Sequence, residues 1–141
     1  MIRYLDTSIL VSSLVREVHT DRAQRWLSEQ TSGDLAISDW VISEFSSALS
    51  LKMRTRQLSE ENRAEALAGF ARFTGEFLAV LPVSTPHFRA AARFADRQKL
   101  GLRAGDALHL AVASESGAAL YTLDRRLAAA GSVIGVKTHL L

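Results

Sequence analysis

Cysteine is absent from the 141 residues. Disulfides, thiolate zinc sites and thiol nucleophiles are excluded with it, which suits a reducing, cytoplasmic setting. Proline occurs 2 times and glycine 8 times. The glycines are isolated, so neither a phosphate-cradling P-loop nor a dinucleotide fingerprint is present, and ATP- and NAD-dependent chemistry is set aside. Neither sign of charge dominates: 17 basic and 15 acidic side chains leave a net charge of +2. The global balance argues only weakly for a polyanionic partner, and the distribution of charge must decide. No apolar run approaches the ~20 residues of a membrane span. Arg3 and Asp6 also break the N-terminal apolar segment before it could serve as a signal-peptide core. No repeat, linker or low-complexity block interrupts a chain whose hydrophobic fraction of 48% is ordinary for a globular protein. The expectation is one folded domain spanning residues 1–141, with no membrane association.

The chain alternates short apolar runs with helical periodicities. Ile2, Tyr4 and Leu5 predict a strand, and Ile9, Leu10, Leu14 and Val15 recur at helical spacing. A helix follows over Thr20–Gln30, then a strand at Leu35–Ile37 after the Gly33 turn. Ser38 and Asp39 start a helix running to about Arg54, and Ser59 with Glu60 and Glu61 starts another. Phe77–Val83 is the expected third strand. Thr85 and Pro86 open a helix ended by Gly101, and Gly105–Ser116 forms one ended by Gly117. Leu120–Leu123, a short helix over Asp124–Ala130 and a last strand near Val133–Val136 complete the order. Such alternation predicts an α/β fold with a mostly parallel, roughly five-stranded sheet, covered by helices on both faces through right-handed crossovers.

Four carboxylates stand out against this frame. Asp6 in "YLDTSIL" interrupts an apolar opening at a strand-to-helix turn, and Asp124 occupies the same position after "LYTL". Each could be a simple N-cap, since aspartate there accepts orphan N–H groups. Strand C-termini, however, are also where open α/β sheets place ligands. Glu44 falls between Ala48 and Leu51, on the apolar side of a helix whose polar side is Ser43, Ser46, Ser47, Ser50 and Arg54. A mid-helix position excludes capping, and burying an ionised carboxylate without a partner is costly. Asp106 lies in the first turn of "AGDALHLAVA", a helix apolar nearly all round, where it could also complement the helix dipole. Gathered in one cleft these acids would repel one another, and a bound divalent cation is the plainest compensation. Carboxylate oxygens without cysteine or histidine suit Mg²⁺ or Mn²⁺. Such an ion serves phosphodiester hydrolysis by polarising the phosphate and activating water, with no protein nucleophile needed.

"YLDTSIL", "SEF", "GDALHLA" and "YTLD", in this order and over the whole chain, resemble the PIN-domain nucleases, specifically the VapC-type toxins of toxin–antitoxin pairs. The resemblance implies a three-layer α/β/α sandwich. It makes Asp6, Glu44, Asp106 and Asp124 the catalytic acidic quartet, with Asp6, Asp106 and Asp124 on the metal and Ser8 and Thr122 as polar supports. It further implies a Mg²⁺- or Mn²⁺-dependent endoribonuclease that cuts structured RNA such as tRNA or ribosomal RNA, forms a homodimer and is silenced by a cognate VapB-like antitoxin. One departure is that Arg125 and Arg126 follow Asp124, where some PIN nucleases carry a further acid. A second protein-held metal is not expected, and these arginines become candidates for binding RNA phosphates.

Other features have ordinary explanations. Arg89, Arg93 and Arg97 line one helix face, and Lys52, Arg54 and Arg56 form a second cluster. Either could meet phosphates, but solvated faces and an Arg93–Asp96 pair account for them as well. His109, one turn after Asp106, could relay protons or support the acids, but a histidine in an apolar helix more often reads as a satisfied core residue. Two further functions compete: a PIN-like binding module without catalysis, and a signalling receiver domain. The second wants paired acids after the first strand and an aspartate after the third, and "LPVSTP" has no carboxylate.

Overall fold

The computed structural model describes residues 1–141. Five short strands alternate with helices: β1 (Arg3–Leu5), α1 (Thr7–Leu14), α2 (Thr20–Ser28), β2 (Leu35–Ser38), α3 (Asp39–Arg54), α4 (Glu60–Phe77), β3 (Ala79–Leu81), α5 (Thr85–Ala95), a 3₁₀ turn (Gln98–Leu100), α6 (Ala104–Glu115), β4 (Ala119–Thr122), α7 (Arg125–Ile134) and β5 (Thr138–Leu140). All neighbouring strands pair in parallel, in the order β3-β2-β1-β4-β5. From β1 the chain winds outward through β2 to β3, then crosses to the other side of β1 for β4 and β5. Right-handed crossovers place the helices of the two halves on opposite faces of the sheet, which gives the three-layer sandwich. The winding reverses between β1 and β4, where the connections leaving the strand ends part and open a crevice.

The central strands β1, β2 and β4 are dry. Tyr4, Leu5, Ile37 and Leu120 are fully buried, as expected of parallel strands covered on both faces. The core continues into Ile9 and Leu10 of α1, and into Val41, Phe45 and Leu49 of α3. Phe45 stacks on Phe70 of α4 with ring centroids 4.1 Å apart. Helix α6 is buried continuously from Ala107 to Ala113, so its apolar sequence does mark a central helix. No helix is long and apolar enough to cross a membrane.

Three boundaries differ from the sequence expectation. Helix α5 ends at Ala95, and a separate 3₁₀ turn over Gln98–Leu100 leads to Gly101. Helix α4 extends through Phe77, leaving only Ala79–Leu81 as the edge strand. Val133 belongs to α7, and the last strand comes later, at Thr138–Leu140. The misleading residue is Gly131, which suggests a break but sits inside α7 because of close packing: a Cβ there would lie 3.0 Å from Leu110 Cδ2 and collide with Thr138. The true stop is Gly135, whose φ of 85° is the left-handed conformation glycine adopts without strain.

Candidate active site

Asp6 and Asp124 leave the C-terminal ends of β1 and β4, adjacent strands whose register pairs Tyr4 with Leu120 and Leu5 with Tyr121. The Asp6 N–H donates to the Tyr121 carbonyl at 3.1 Å, so the β ladder continues into the turn. Both acids are thereby held at the crevice.

Their environments differ. Asp124 is exposed and caps α7, its Oδ1 accepting from the N–H groups of Arg126 at 2.8 Å and Leu127 at 3.2 Å. Asp6 stands at the N-cap of α1 but completes no side-chain cap bond. Its carboxylate instead accepts from Ser8 Oγ at 2.6 Å and from Thr122 Oγ1 at 2.6 Å. The same two hydroxyls accept in turn from the backbone of the second turn: Leu123 N–H donates to Ser8 Oγ at 3.0 Å and Asp124 N–H to Thr122 Oγ1 at 2.9 Å. Ser8 and Thr122 thus stitch the two strand ends together over Asp6, which is 4% exposed. Burial raises the Asp6 carboxyl above its ordinary range, against the opposing influences of His109, Ser8, Thr122 and the nearby Ile9 N–H. The sequence expectation that Asp6 caps its helix is therefore corrected: the hydroxyls of Ser8 and Thr122 take up its oxygens.

Glu44 lies beside the buried Val41, Phe45 and Leu49 stripe of α3, half-buried rather than on a wholly apolar side, since neighbouring Leu51 is 53% exposed. Its Oε1 accepts from Thr7 Oγ1 at 2.6 Å and lies 2.5 Å from His109 Nε2. Burial alone would raise its carboxyl, but the hydrogen bond and charge of His109, with Thr7 and Trp40, outweigh it and leave the group below its ordinary range. Trp40 Nε1 faces this carboxylate without forming a complete hydrogen bond, and it is one of the few buried polar atoms lacking a partner.

Asp106 follows Gly105, and Gly105 explains how α6 approaches α3. A Cβ at that position would lie 2.8 Å from Glu44 Oε2 and 3.2 Å from Trp40 Nε1. Asp106 Oδ2 accepts from the Arg103 N–H at 3.3 Å. Burial raises the Asp106 carboxyl, the Arg103 bond opposes this, and the charges of Asp124 and then Glu44 push it further up. Asp106 is thus coupled electrostatically to Asp124 and Glu44, and Asp6 is tied to the Asp124 turn through Thr122. They do not converge as tightly as a closed ligand set: no three acidic or imidazole side chains stand close enough to enclose an ion. The donors fit Mg²⁺ or Mn²⁺ nonetheless, because the available atoms are carboxylate and hydroxyl oxygens and Mg²⁺ commonly takes one or two carboxylates and keeps several waters.

A cleft of about 430 Å³ opens beside the acids, lined by Thr7, Ser8, Glu17, His19, Ala48 and Asp124 among others. Lys52 reaches its wall through Glu17, 3.3 Å away. Arg125 and Arg126 are exposed in the first turn of α7 after Asp124, and the Arg126 side chain lies over Gly101. The expected Arg93–Asp96 pair does not form; the ion pairs are Arg16–Asp21 and Lys52–Glu17, and His87 and His109 meet Glu115 and Glu44 as imidazole–carboxylate contacts. Sequence reasoning missed the parts played by Thr7, Tyr4 and Trp40, and preferred a core role for His109 over a proton-relay or supporting one. Only the position of Thr7 directly after Asp6, and of His109 one turn after Asp106, could have signalled them.

Solved structures with this fold include VapC20 of Mycobacterium tuberculosis, a sarcin–ricin loop cleaving toxin, with a TM-score of 0.74 and 20% identity over 92% of this chain and 95% of that one. FitAcB of Neisseria gonorrhoeae aligns with a TM-score of 0.69 and 18% identity over 97% of this chain and 96% of that one. VapBC2 of Rickettsia felis, bound to a DNA fragment from its promoter, aligns with a TM-score of 0.70 and 17% identity, covering 99% and 98%. At such identities the likeness carries the fold. No curated protein matches the sequence significantly. The model of the PIN domain matches residues 3–132, from β1 through most of α7 and across every one of the four acids. By that match the chain belongs to the PIN domain family.

Proposed function

We propose that this chain, a single domain over residues 1–141, is a Mg²⁺- or Mn²⁺-dependent endoribonuclease that serves as the toxin of a toxin–antitoxin pair and cuts structured RNA. The observation that carries the reading is Asp6, a buried carboxylate kept at the reversal point of the sheet and tied through Thr122 to the turn that carries Asp124. Nothing in the packing requires an acid there, and a buried carboxylate without a countercharge costs several kcal/mol. Toxins and toxin–antitoxin complexes among the structural relatives support the partner class, and the RNA-cleaving VapC20 supports the substrate class.

A bound cation would supply Lewis-acid stabilisation of the phosphate and an activated water. The chain's own residues account for the rest. Asp6, Asp106 and Asp124 would hold the ion, with Ser8 and Thr122 fixing the Asp6 oxygens through hydroxyl donors. Glu44, kept ionised by His109 and Thr7, is the group best placed to orient the attacking water and take its proton. Arg125 and Arg126 would hold flanking phosphates. In this reading the acids stay inhibited in a complex with a VapB-like antitoxin, and two copies of the chain form a dimer.

The test is incubation of the purified protein with total bacterial RNA in Mn²⁺, Mg²⁺ or chelator, with mapping of new RNA ends. Discrete ends that need metal and disappear in Asp106→Asn are the expected result. Absence of cleavage under every metal, together with no divalent-ion binding, would leave a non-catalytic module.

A further inference from the structure

We propose that His109 is a positioning residue for Glu44, locked by Tyr4 into the tautomer that carries its proton on Nε2. The inference rests on reading the acid-lined edge as a nuclease site, and it assigns work to two residues that reading leaves idle, Tyr4 and Ser38, and a fixed tautomer to His109.

The starting point is that His109 is 3% exposed and both of its ring nitrogens are engaged. Nδ1 lies 2.8 Å from the Tyr4 hydroxyl, and that hydroxyl lies 2.7 Å from Ser38 Oγ. Nε2 lies 2.5 Å from Glu44 Oε1. Hydrogen atoms can be placed along this chain from one end. An ionised carboxylate only accepts, so Nε2 must donate to Glu44. In a neutral ring Nδ1 must then accept, which makes Tyr4 its donor. Tyr4 has a single hydroxyl hydrogen, so Ser38 must donate to Tyr4. Every donor is used once and every acceptor is satisfied, as a buried polar network requires. Ser38 and Tyr4 are both fully buried, on the neighbouring strands β2 and β1, so no water competes for these bonds.

The consequence for Glu44 is geometric. Thr7 and His109 both bind Oε1, which leaves Oε2 turned toward Gly105 beside the Trp40 indole. One oxygen is anchored to the buried core and the other completes no hydrogen bond. A histidine serving only to fill the interior of α6 could have satisfied its nitrogens on backbone carbonyls. This one instead links β1 and β2 to the one acid of the four that stands in mid-helix.

The experiment combines nitrogen-15 NMR of the metal-free protein with RNA cleavage. Wild type should show the His109 resonance of the Nε2–H tautomer, identified by its loss in His109→Gln, and Tyr4→Phe should add the Nδ1–H tautomer. In cleavage, His109→Leu should lower kcat about 10–100-fold with KM unchanged, the usual loss when a partner that orients a functional group is removed. His109→Gln, whose amide can donate to Glu44 and accept from Tyr4, should recover most of that loss. Circular dichroism and melting confirm that the variants are folded. An Nδ1–H tautomer in wild type, or one unaltered in Tyr4→Phe, overturns the lock. Wild-type kcat in a folded His109→Leu overturns the positioning role. If wild type cleaves no RNA, the nuclease reading fails instead, and the tautomer measurement still decides whether Tyr4 sets His109.

Discussion

The turn after β1 and the turn after β4 are built to one plan, yet their acids do different work. Each follows a central parallel strand, and each carries its aspartate one or two residues past the strand's last position. Asp124 meets the N–H groups of its own helix and is explained by capping. Asp6 has the same opportunity and does not take it, accepting from the hydroxyls of Ser8 and Thr122 and keeping an ionisable group out of water. A cap is a local device that stabilises where it sits. A buried acid raised by desolvation weakens the ion-free protein at neutral pH and needs an explanation from outside the fold. The functional reading therefore leans on Asp6 more than on its twin.

Substitution separates the two turns most strongly in cleavage. Asp6→Asn is expected to lower kcat by at least ~100-fold, the scale of a lost electrostatic contribution in the reacting site. Asp106→Asn should do the same without loss of folded protein. If Asp6→Asn cleaves normally, the burial of that carboxylate has no catalytic meaning.

The second difference concerns stability. Asp124→Ala should cost about 1 kcal/mol through the lost cap, read in urea unfolding. Asp6→Asn should leave the ion-free protein as stable or more so. A larger loss at Asp6 than at Asp124 would reverse the comparison and make Asp6 a structural residue.

The pH dependence follows from the same contrast. Asp6 and Asp106 have folded carboxyls raised above their unfolded values, so the native state binds more protons in the interval between. The stability they contribute is fully present below the unfolded value of about 4 and is lost as pH rises through the raised folded values. Glu44, lowered in the folded state, works oppositely and loses its contribution as pH falls through its folded value. Ion-free protein should thus lose stability as pH climbs from about 4 toward neutrality. Asp6→Asn should flatten that slope, and an unchanged slope would remove Asp6 as its source.

Smaller effects are expected where the site is only touched. Gly105→Ala should displace the flexible end of Glu44 rather than the backbone, reducing cleavage more than stability. Arg125→Ala and Arg126→Ala should each reduce the salt dependence of RNA binding by roughly one unit of slope, leaving melting unchanged.

The sheet and its helices were legible because apolar runs and helical spacing alternate cleanly along the chain. The exception, the end of α7, was hidden by Gly131, whose small size serves packing against Thr138 and not a turn. Glu44 was legible because no cap explains an acid in mid-helix. The different fates of Asp6 and Asp124 were not, since both positions look alike locally and only Thr122, 116 residues from Asp6, tells them apart. The tie between His109 and Glu44 spans 65 residues and was equally invisible. Helix spacing shows which face a residue occupies, but not which side chain of another helix meets it.

The most direct test is thermal melting of wild type, Asp6→Asn and Asp124→Ala at neutral pH across a Mn²⁺ titration. If the buried acid is held for a cation, wild-type Tm rises with Mn²⁺ and Asp6→Asn does not respond. No rise in wild type, or the same rise in Asp6→Asn, would contradict the account.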